Sequence, residues 1–229
     1  MTAPAIRPLL WSGYEWVDRL RPTQALLKGR AYEIAKRVFD LVVVIAAIPL
    51  WVPTIALIAL AIKLDNPGAP VLFSQTRTGH GGRTFRMQKF RTMVPDAEDM
   101  KWELRHLNEL DWPLFKITRD PRITRPGRLL RKTSLDELPQ LWNVLVGTMS
   151  LVGPRPTDFM PDDYRLWHTE RLDVKPGLTG LWQLYGRGVA ELDDSSRLDI
   201  AYVQRRCLWL DIQILCRTIP AVLTQRGAK

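Results

Sequence analysis

Two carboxylates stand side by side at Asp136 and Glu137, just after the cations Arg128, Arg131 and Lys132. Leu138, Leu141, Trp142 and Leu145 follow at i, i+3, i+4, i+7 spacing, which predicts a helix from about Asp136 to Val146. The carboxylates would then sit at a helix N-terminus, where free N–H groups and the positive end of the dipole attract phosphate. Nearby arginines would add paired contacts to phosphate oxygens. A carboxylate in that setting should stay ionised and could attack phosphorus. The same residues also have a purely structural reading. Ser134-Leu135-Asp136-Glu137 matches the capping box S-x-x-E, in which Glu137 returns a hydrogen bond to the cap. Pro139 argues partly against it. With Ser134 as cap the proline falls at the fifth helical position, where its ring begins to clash. With Asp136 as cap it falls at the third, where a missing N–H costs nothing. Residue chemistry alone leaves catalysis and capping both open.

The elements around this pair begin with an apolar run. Leu41 to Ile62 carries no charge and is bounded by Asp40 and Lys63. About 20 apolar residues suffice to span a bilayer as a helix, and core helices rarely stay apolar all round for so long. The run starts too far into the chain for a signal peptide and lacks a small-residue cleavage site beyond it. Pro49 and Pro53 each remove a helix hydrogen bond, so a kink is expected near the middle. Lys28, Arg30, Lys36 and Arg37 precede the run, and Lys63, Arg77, Arg83, Arg86, Lys89 and Arg91 follow it. Lysine and arginine favour the cytoplasmic side. A segment that enters, bends at the prolines and returns to the same face satisfies that preference at both ends; a straight crossing violates it at one. Trp11, Tyr14 and Trp16 upstream suit the headgroup region. Leu208, Ile212, Leu215, Ile219 and Val222, with Arg205, Arg206, Arg217 and Arg226 around them, describe an amphipathic helix that either lies on the membrane or packs on the core.

The expected organisation is a leader at residues 1–33, a re-entrant membrane helix at 34–63 and one catalytic domain at 64–229. The fold class is α+β and helix-rich. Val71–Gln75 and Thr84–Phe90 read as a β-hairpin around Gly79-His80-Gly81-Gly82. That turn is not a dinucleotide fingerprint, because the third glycine of GxGxxG would fall at Thr84. Helical patterns recur at Asp96–Leu110, Asp158–Leu172 and Glu191–Arg206. Cys207 and Cys216 would point to opposite faces of a helix at about 100° per residue, so a disulfide between them is not expected. They and the scattered His80, His106 and His168 make no zinc spacing. The 229 residues are 46% hydrophobic and 25% charged, with a net charge of +9. That excludes disorder as the default and suits a polyanionic partner: nucleic acid, anionic lipid or phosphorylated substrate.

A set of motifs stands in order along the chain: Lys36-Arg37-x-x-Asp40 ahead of the proline-broken run, Lys89-Phe90-Arg91-Thr92-Met93, Ser134 to Leu141, Asn143-Val144-Leu145, Met149 to Pro156 and Lys175 to Gly180. Together these resemble the bacterial sugar transferase family, the monotopic phosphoglycosyl transferases, from about residue 30 onward. The resemblance implies transfer of a sugar-1-phosphate from a UDP-sugar to polyprenyl (undecaprenyl) phosphate, on the cytoplasmic face of the bacterial inner membrane. Such a transfer would open exopolysaccharide, O-antigen or glycoconjugate assembly. Asp136 would attack the β-phosphorus and expel UMP, then pass the phosphosugar to the lipid. Glu137 would assist as metal ligand or proton handler, and Mg²⁺ would be the cofactor, held by Asp136 and Glu137. Arg131 and Arg155 match family arginines expected to hold phosphates. Lys89 and Arg91 join them as candidates, with solvated strand positions as the alternative, and Gln183 and Arg187 are candidates for nucleotide or sugar. The matching membrane segment is re-entrant in the family, which agrees with the charge argument. Two positions depart from the pattern: Val52 stands where a serine often precedes the kinking proline, and Thr148 where an acidic residue is frequent, so Thr148 is left out of any metal site. Some members carry a four-helix membrane region ahead of this domain; residues 1–33 are expected to be only a short leader.

Two rival functions remain. One is a membrane-associated glycosyl transferase that moves the sugar without its phosphate and therefore releases UDP. The other is a non-enzymatic module that binds anionic lipid or nucleic acid through its basic face. Interspersed charge and the lack of any nucleic-acid motif count against it. The expected partners are a UDP-sugar, polyprenyl phosphate and an anionic membrane surface, with a homo-oligomer possible and nucleic acid not expected.

Overall fold

A computed structural model describes residues 26–109, 115, 117–157, 166–185 and 192–223. The upstream aromatics Trp11, Tyr14 and Trp16, together with Arg187 and Arg226, lie outside the described residues.

The apolar run forms the end of one helix and most of a second, α1 (Gly29–Ala46) and α2 (Ile48–Asp65). The break falls at Ala47 (φ −84°, ψ −3°). Its cause is Pro49, which has no N–H to offer one turn back. Pro53 lies inside α2, which continues through it, so the interruption sits ahead of both prolines rather than between them. Trp51 helps to stabilise it: the indole Nε1 donates to the Val44 carbonyl at 3.0 Å. Thr54 Oγ1 bonds back to the Leu50 carbonyl at 2.8 Å, a contact that tends to bend helices.

The two helices bury themselves differently. On α1 the inward residues are Tyr32, Lys36, Asp40 and Val44, a strict i+4 stripe that is mostly polar. On α2 the fully buried residue is Ile62 alone, and Leu50, Leu57 and Leu64 are 75%, 68% and 75% exposed. Among the described residues α2 is the one helix long and apolar enough to cross a membrane. It is not a core helix.

Two antiparallel strands follow, β1 (Leu72–Thr78) and β2 (Thr84–Phe90), paired from Leu72↔Phe90 to Thr78↔Thr84. The hairpin is the expected one, with β1 running three residues further because β2 pairs along its whole length. Gly81 (φ +64°) and Gly82 (φ +74°) make the turn. The charged stretch after it holds only a short α3 (Met100–Glu103) and a 3₁₀ turn at Leu104–Leu107, less helix than its pattern suggests.

Next come α4 (Arg125–Thr133), capped by Thr124, whose side chain accepts from the Gly127 N–H, and α5 (Gln140–Val146). Gly127 lets α4 approach the preceding loop: a Cβ there would lie 2.1 Å from the Thr92 carbonyl oxygen. A second sheet, parallel and not apparent in the sequence, joins β3 (Ser150–Val152) to β4 (Gly177–Thr179). These strands meet through glycine. A Cβ on Gly177 would stand 2.0 Å from the Gly153 nitrogen, and one on Gly180 2.2 Å from the Gly153 oxygen. Each strand has only three residues, too few to show a period. Residues 158–165 of the expected helix at Asp158–Leu172 lie outside the described set, and Leu166–Asp173 is a 3₁₀ helix.

The chain closes with α6 (Leu181–Tyr185), α7 (Leu192–Arg205) and α8 (Leu208–Leu223). The core gathers Val44, Val144, Met149, Leu181, Leu198, Tyr202, Leu210 and Ile214. On α8 the inward face is thus Leu210, Asp211 and Ile214, one step round from the predicted stripe, and Ile219 is exposed. Both cysteines are free, as expected. A smaller cluster ties the far end of α2 to the site: Ile62 packs with Phe90 and Leu130, and Leu135 and Leu138 join them.

Candidate active site

The Asp136-Glu137 pair does not begin a continuous helix. Ser134 takes a left-handed conformation (φ +57°, ψ +16°) and ends α4. Leu135–Glu137 is one 3₁₀ turn, and α5 starts only at Gln140, after Pro139. The Ser134 side chain makes no cap hydrogen bond, so the capping-box reading is set aside. Glu137 turns the other way. Its Oε1 accepts from Lys89 Nζ at 3.2 Å and from Arg155 Nη2 at 3.1 Å. The predicted helix over 136–146 is corrected on the same ground. A non-glycine residue with positive φ is uncommon, and here it swings both carboxylates off the end of α4 and toward the hairpin.

They face a cavity of about 450 Å³, lined by Lys89, Arg91, Arg131, Asp136, Glu137 and Arg155 together with Phe73, Phe90, Thr92, Ser134 and Trp182 among others. Lys89 comes from the end of β2. Arg131 comes from the last turn of α4, where its Nε bonds Thr92 Oγ1 at 2.9 Å. Arg155 comes from the loop after β3, its guanidinium 5.4 Å from the centre of the Trp182 ring. Arg91 is turned partly away: its Nε bonds the Pro70 carbonyl at 2.9 Å, and its guanidinium lies 5.9 Å from the Phe73 ring centre. Six of the eight candidate residues therefore meet in one cavity. Gln183 does not line it. It is buried on α6 (3% exposed), and its neighbour Trp182 takes the wall position instead. Arg187 lies outside the described residues. Thr92 and Trp182 were not singled out from the sequence; Thr92 sits inside the Lys89–Met93 motif, while Trp182 carries no local signal.

Burial and charge separate the two acids. Burial raises the Asp136 pKa and the Glu137 charge adds to it, against the pull of Lys89 and Arg131. Burial would also raise Glu137, but Arg155 and Lys89 outweigh it and hold the group at about 2. Lys89 itself is lowered, chiefly by burial, although Glu137 opposes the shift. One acid is thus fixed as a carboxylate by its two cations, and the other carries no ion pair among the described residues. The oxygen donors suit Mg²⁺, which takes one or two carboxylates and completes its shell with water and substrate phosphate. Among the described residues no group of three or more metal-ligating side chains is present, so those residues alone offer no closed metal cage.

The cavity sets two adjacent carboxylates among cations, close to the far end of the exposed apolar helix α2. A family model described as bacterial sugar transferase matches residues 31–225, and the chain belongs to that family. It is 44% identical over 208 residues to the UDP-glucose:undecaprenyl-phosphate glucose-1-phosphate transferase of Caulobacter vibrioides, covering 86% of this chain and 73% of that protein. It is 44% identical over 200 residues to galactosyl transferase CpsE of Streptococcus agalactiae, covering 86% and 44%. It is 39% identical over 202 residues to the exopolysaccharide production protein ExoY of Rhizobium meliloti, covering 85% and 88%. The chain spans less than half the length of some relatives, the streptococcal one included, and most of the length of others.

Proposed function

We propose that this protein transfers a sugar-1-phosphate from a UDP-sugar to undecaprenyl phosphate, through a covalent intermediate on Asp136. The observation that carries the reading is the cavity itself, where two carboxylates of opposite electrostatic character share a wall with Lys89, Arg131 and Arg155. The name of the Caulobacter relative, a UDP-glucose:undecaprenyl-phosphate glucose-1-phosphate transferase, supports the substrate class. Asp136, which has no ion-pair partner among the described residues, attacks the β-phosphorus of the donor. The bond from that phosphorus to the bridging oxygen breaks, and the electron pair leaves with UMP. A phosphate oxygen of the lipid then attacks the same phosphorus, frees the Asp136 carboxylate and leaves as the polyprenyl diphosphate sugar. Arg131 and Arg155 hold phosphate oxygens as charge builds on them. Glu137 keeps Lys89 and Arg155 in place and stays ionised throughout. Mg²⁺, when bound with oxygen ligands from Asp136 and Glu137, would offset the diphosphate charge.

The reading extends to topology. We infer that α1 and α2 form a re-entrant unit which dips into the cytoplasmic leaflet of the inner membrane and returns. The break at Ala47, basic residues at both ends and the packing of both helices on one domain support this. The reaction would open assembly of an exopolysaccharide, O-antigen or other glycoconjugate.

The test is a UDP-sugar labelled at the β-phosphate, mixed with enzyme and no lipid. Label should appear on a peptide containing Asp136, with release of UMP. Release of UDP would assign the protein to sugar transfer without phosphate. Label on a different residue would overturn the role of Asp136.

A further inference from the structure

Arg155 is held from behind. The loop that carries it leaves β3 at Val152, and its backbone is fixed on two sides. Toward β4, the Gly177 N–H donates to the Pro154 carbonyl at 2.8 Å, and the Gly153 N–H to the Thr179 carbonyl at 2.9 Å. On the opposite side Arg171, from the 3₁₀ helix, donates Nη2 to the Arg155 carbonyl at 2.7 Å. The same nitrogen is ion-paired with Asp199 of α7. One helical turn further, the Tyr202 hydroxyl lies 3.2 Å from the Val152 carbonyl, with a shorter contact of 2.7 Å to Asp211 Oδ1. Asp199 and Tyr202 therefore grip the two flanks of one loop from one face of α7.

The Arg171–Asp199 pair is poorly explained by stability. Both side chains are almost wholly enclosed, at 2% and 1% exposure. Arg171 Nη1 finds no hydrogen-bond partner among the described residues, and burial pushes the Asp199 carboxyl up to about 6 against the pull of Arg171 and of the Arg155 backbone. Removing two charges from water costs several kcal/mol per ion, and an apolar pair of the same size is often as stable or more so. What an apolar pair could not do is bind a carbonyl and fix its direction.

We propose that Arg171 and Asp199 are positioning residues, which set where the Arg155 guanidinium stands relative to Glu137 and the donor diphosphate. This rests on the phosphoglycosyl transfer reading given above. Asp199 orients Arg171, Arg171 holds the Arg155 carbonyl, and the Arg155 side chain is thereby presented to Glu137 Oε1 and to the Trp182 ring. Neither residue touches substrate.

A double-mutant cycle on UMP release tests it, using full-length protein in nanodiscs. Asp199→Asn keeps size and loses the charge that grips Arg171. Alone it should lower kcat/KM roughly 10–100-fold, the loss typical of removing a partner behind an active-site ligand. Arg155→Ala alone should cost at least as much. If Asp199 acts through Arg155, the double variant should be little worse than Arg155→Ala, because the second change removes nothing further. Multiplicative losses would overturn the proposal and leave Asp199 a merely structural group. If Asp199→Asn loses its far-UV circular dichroism, Arg171→Lys takes its place in the cycle with the same two outcomes. Failure of the wild-type protein to release UMP from any UDP-sugar would instead count against the functional reading.

Discussion

Asp136 and Glu137 are neighbours in the chain, yet their carboxyl groups shift in opposite directions, the first up and the second down to about 2. The 3₁₀ turn aims Glu137 between Lys89 and Arg155 and leaves Asp136 in the cavity, with no ion pair among the described residues. An acid whose pKa is raised in the folded state opposes folding when ionised, and that cost disappears as pH falls through its folded pKa. Asp136→Asn is therefore expected to unfold at the same temperature as wild type or higher at pH 7, while turnover falls to background. A large loss of thermal stability in this variant would show that Asp136 supports the fold rather than the chemistry.

Glu137→Gln should behave in the opposite way. Its folded pKa of about 2 lies below the ordinary 4.5, so its ionisation stabilises the protein above about pH 4.5. That contribution is lost as pH falls towards 2. Its size is on the order of 3 kcal/mol. Denaturant unfolding in metal-free buffer should show the Gln variant weakened at pH 7 and its deficit shrinking below about pH 4. A deficit that does not change with pH would mean that packing, not charge, is what was removed.

Gly177→Ala tests the parallel pair β3–β4. The added Cβ would collide with the Gly153 backbone nitrogen at 2.0 Å, and no rotation of a side chain relieves a backbone contact. Thermal unfolding should reveal a loss of about 1–3 kcal/mol or more. The Arg155 loop would move with it, so kcat/KM should fall alongside stability. A wild-type melting curve would mean that the two strands do not approach so closely.

For the membrane segment, cysteines placed at 30 and 66, in a background with Cys207 and Cys216 changed to Ser, should both be labelled from the cytoplasmic side. Labelling of either from the periplasm would sink the re-entrant topology. Replacing Pro49 and Pro53 together by Ala should favour a straight crossing, since the helix regains its missing N–H groups. Trp51→Phe is the subtler variant. It removes the indole that bonds the Val44 carbonyl, and a bare carbonyl is costly in lipid, so it should weaken the bend without abolishing it.

How far the sequence could be read depended on the length over which each signal acts. The hairpin, the apolar run and the motif set were legible because each is carried by consecutive residues. The Asp136 turn was misplaced because the apolar residues from Leu138 to Leu145 have a helical period, while the left-handed Ser134 that breaks the line leaves no periodic trace. β3 and β4 were missed because three residues cannot establish alternation, and their pairing depends on glycines far apart in the chain. Gln183 and Trp182 are adjacent on a short helix, and it is their tertiary packing, with Gln183 buried beside Leu181 and Trp182 on the cavity wall, that tells them apart. Arg171 and Asp199 are ordinary charges in helical stretches, and their role becomes visible only where the Arg155 carbonyl meets them.

The polar stripe of α1 has a mechanical meaning. Tyr32 and Lys36 both engage Asp211 of α8, Asp40 accepts from Ser150 of β3, and Arg37 donates to the carbonyls of Val144 and Leu145 at the end of α5. Three separate elements are thereby bolted to one helix, and that helix runs directly into the apolar α2. The helix cannot tilt or slide without dragging the domain along. On the membrane topology and reaction proposed above, the cavity keeps a fixed altitude over the apolar segment whatever depth that segment takes. An acceptor phosphate would then have to present itself at that height, because the floor of the site does not descend to meet it.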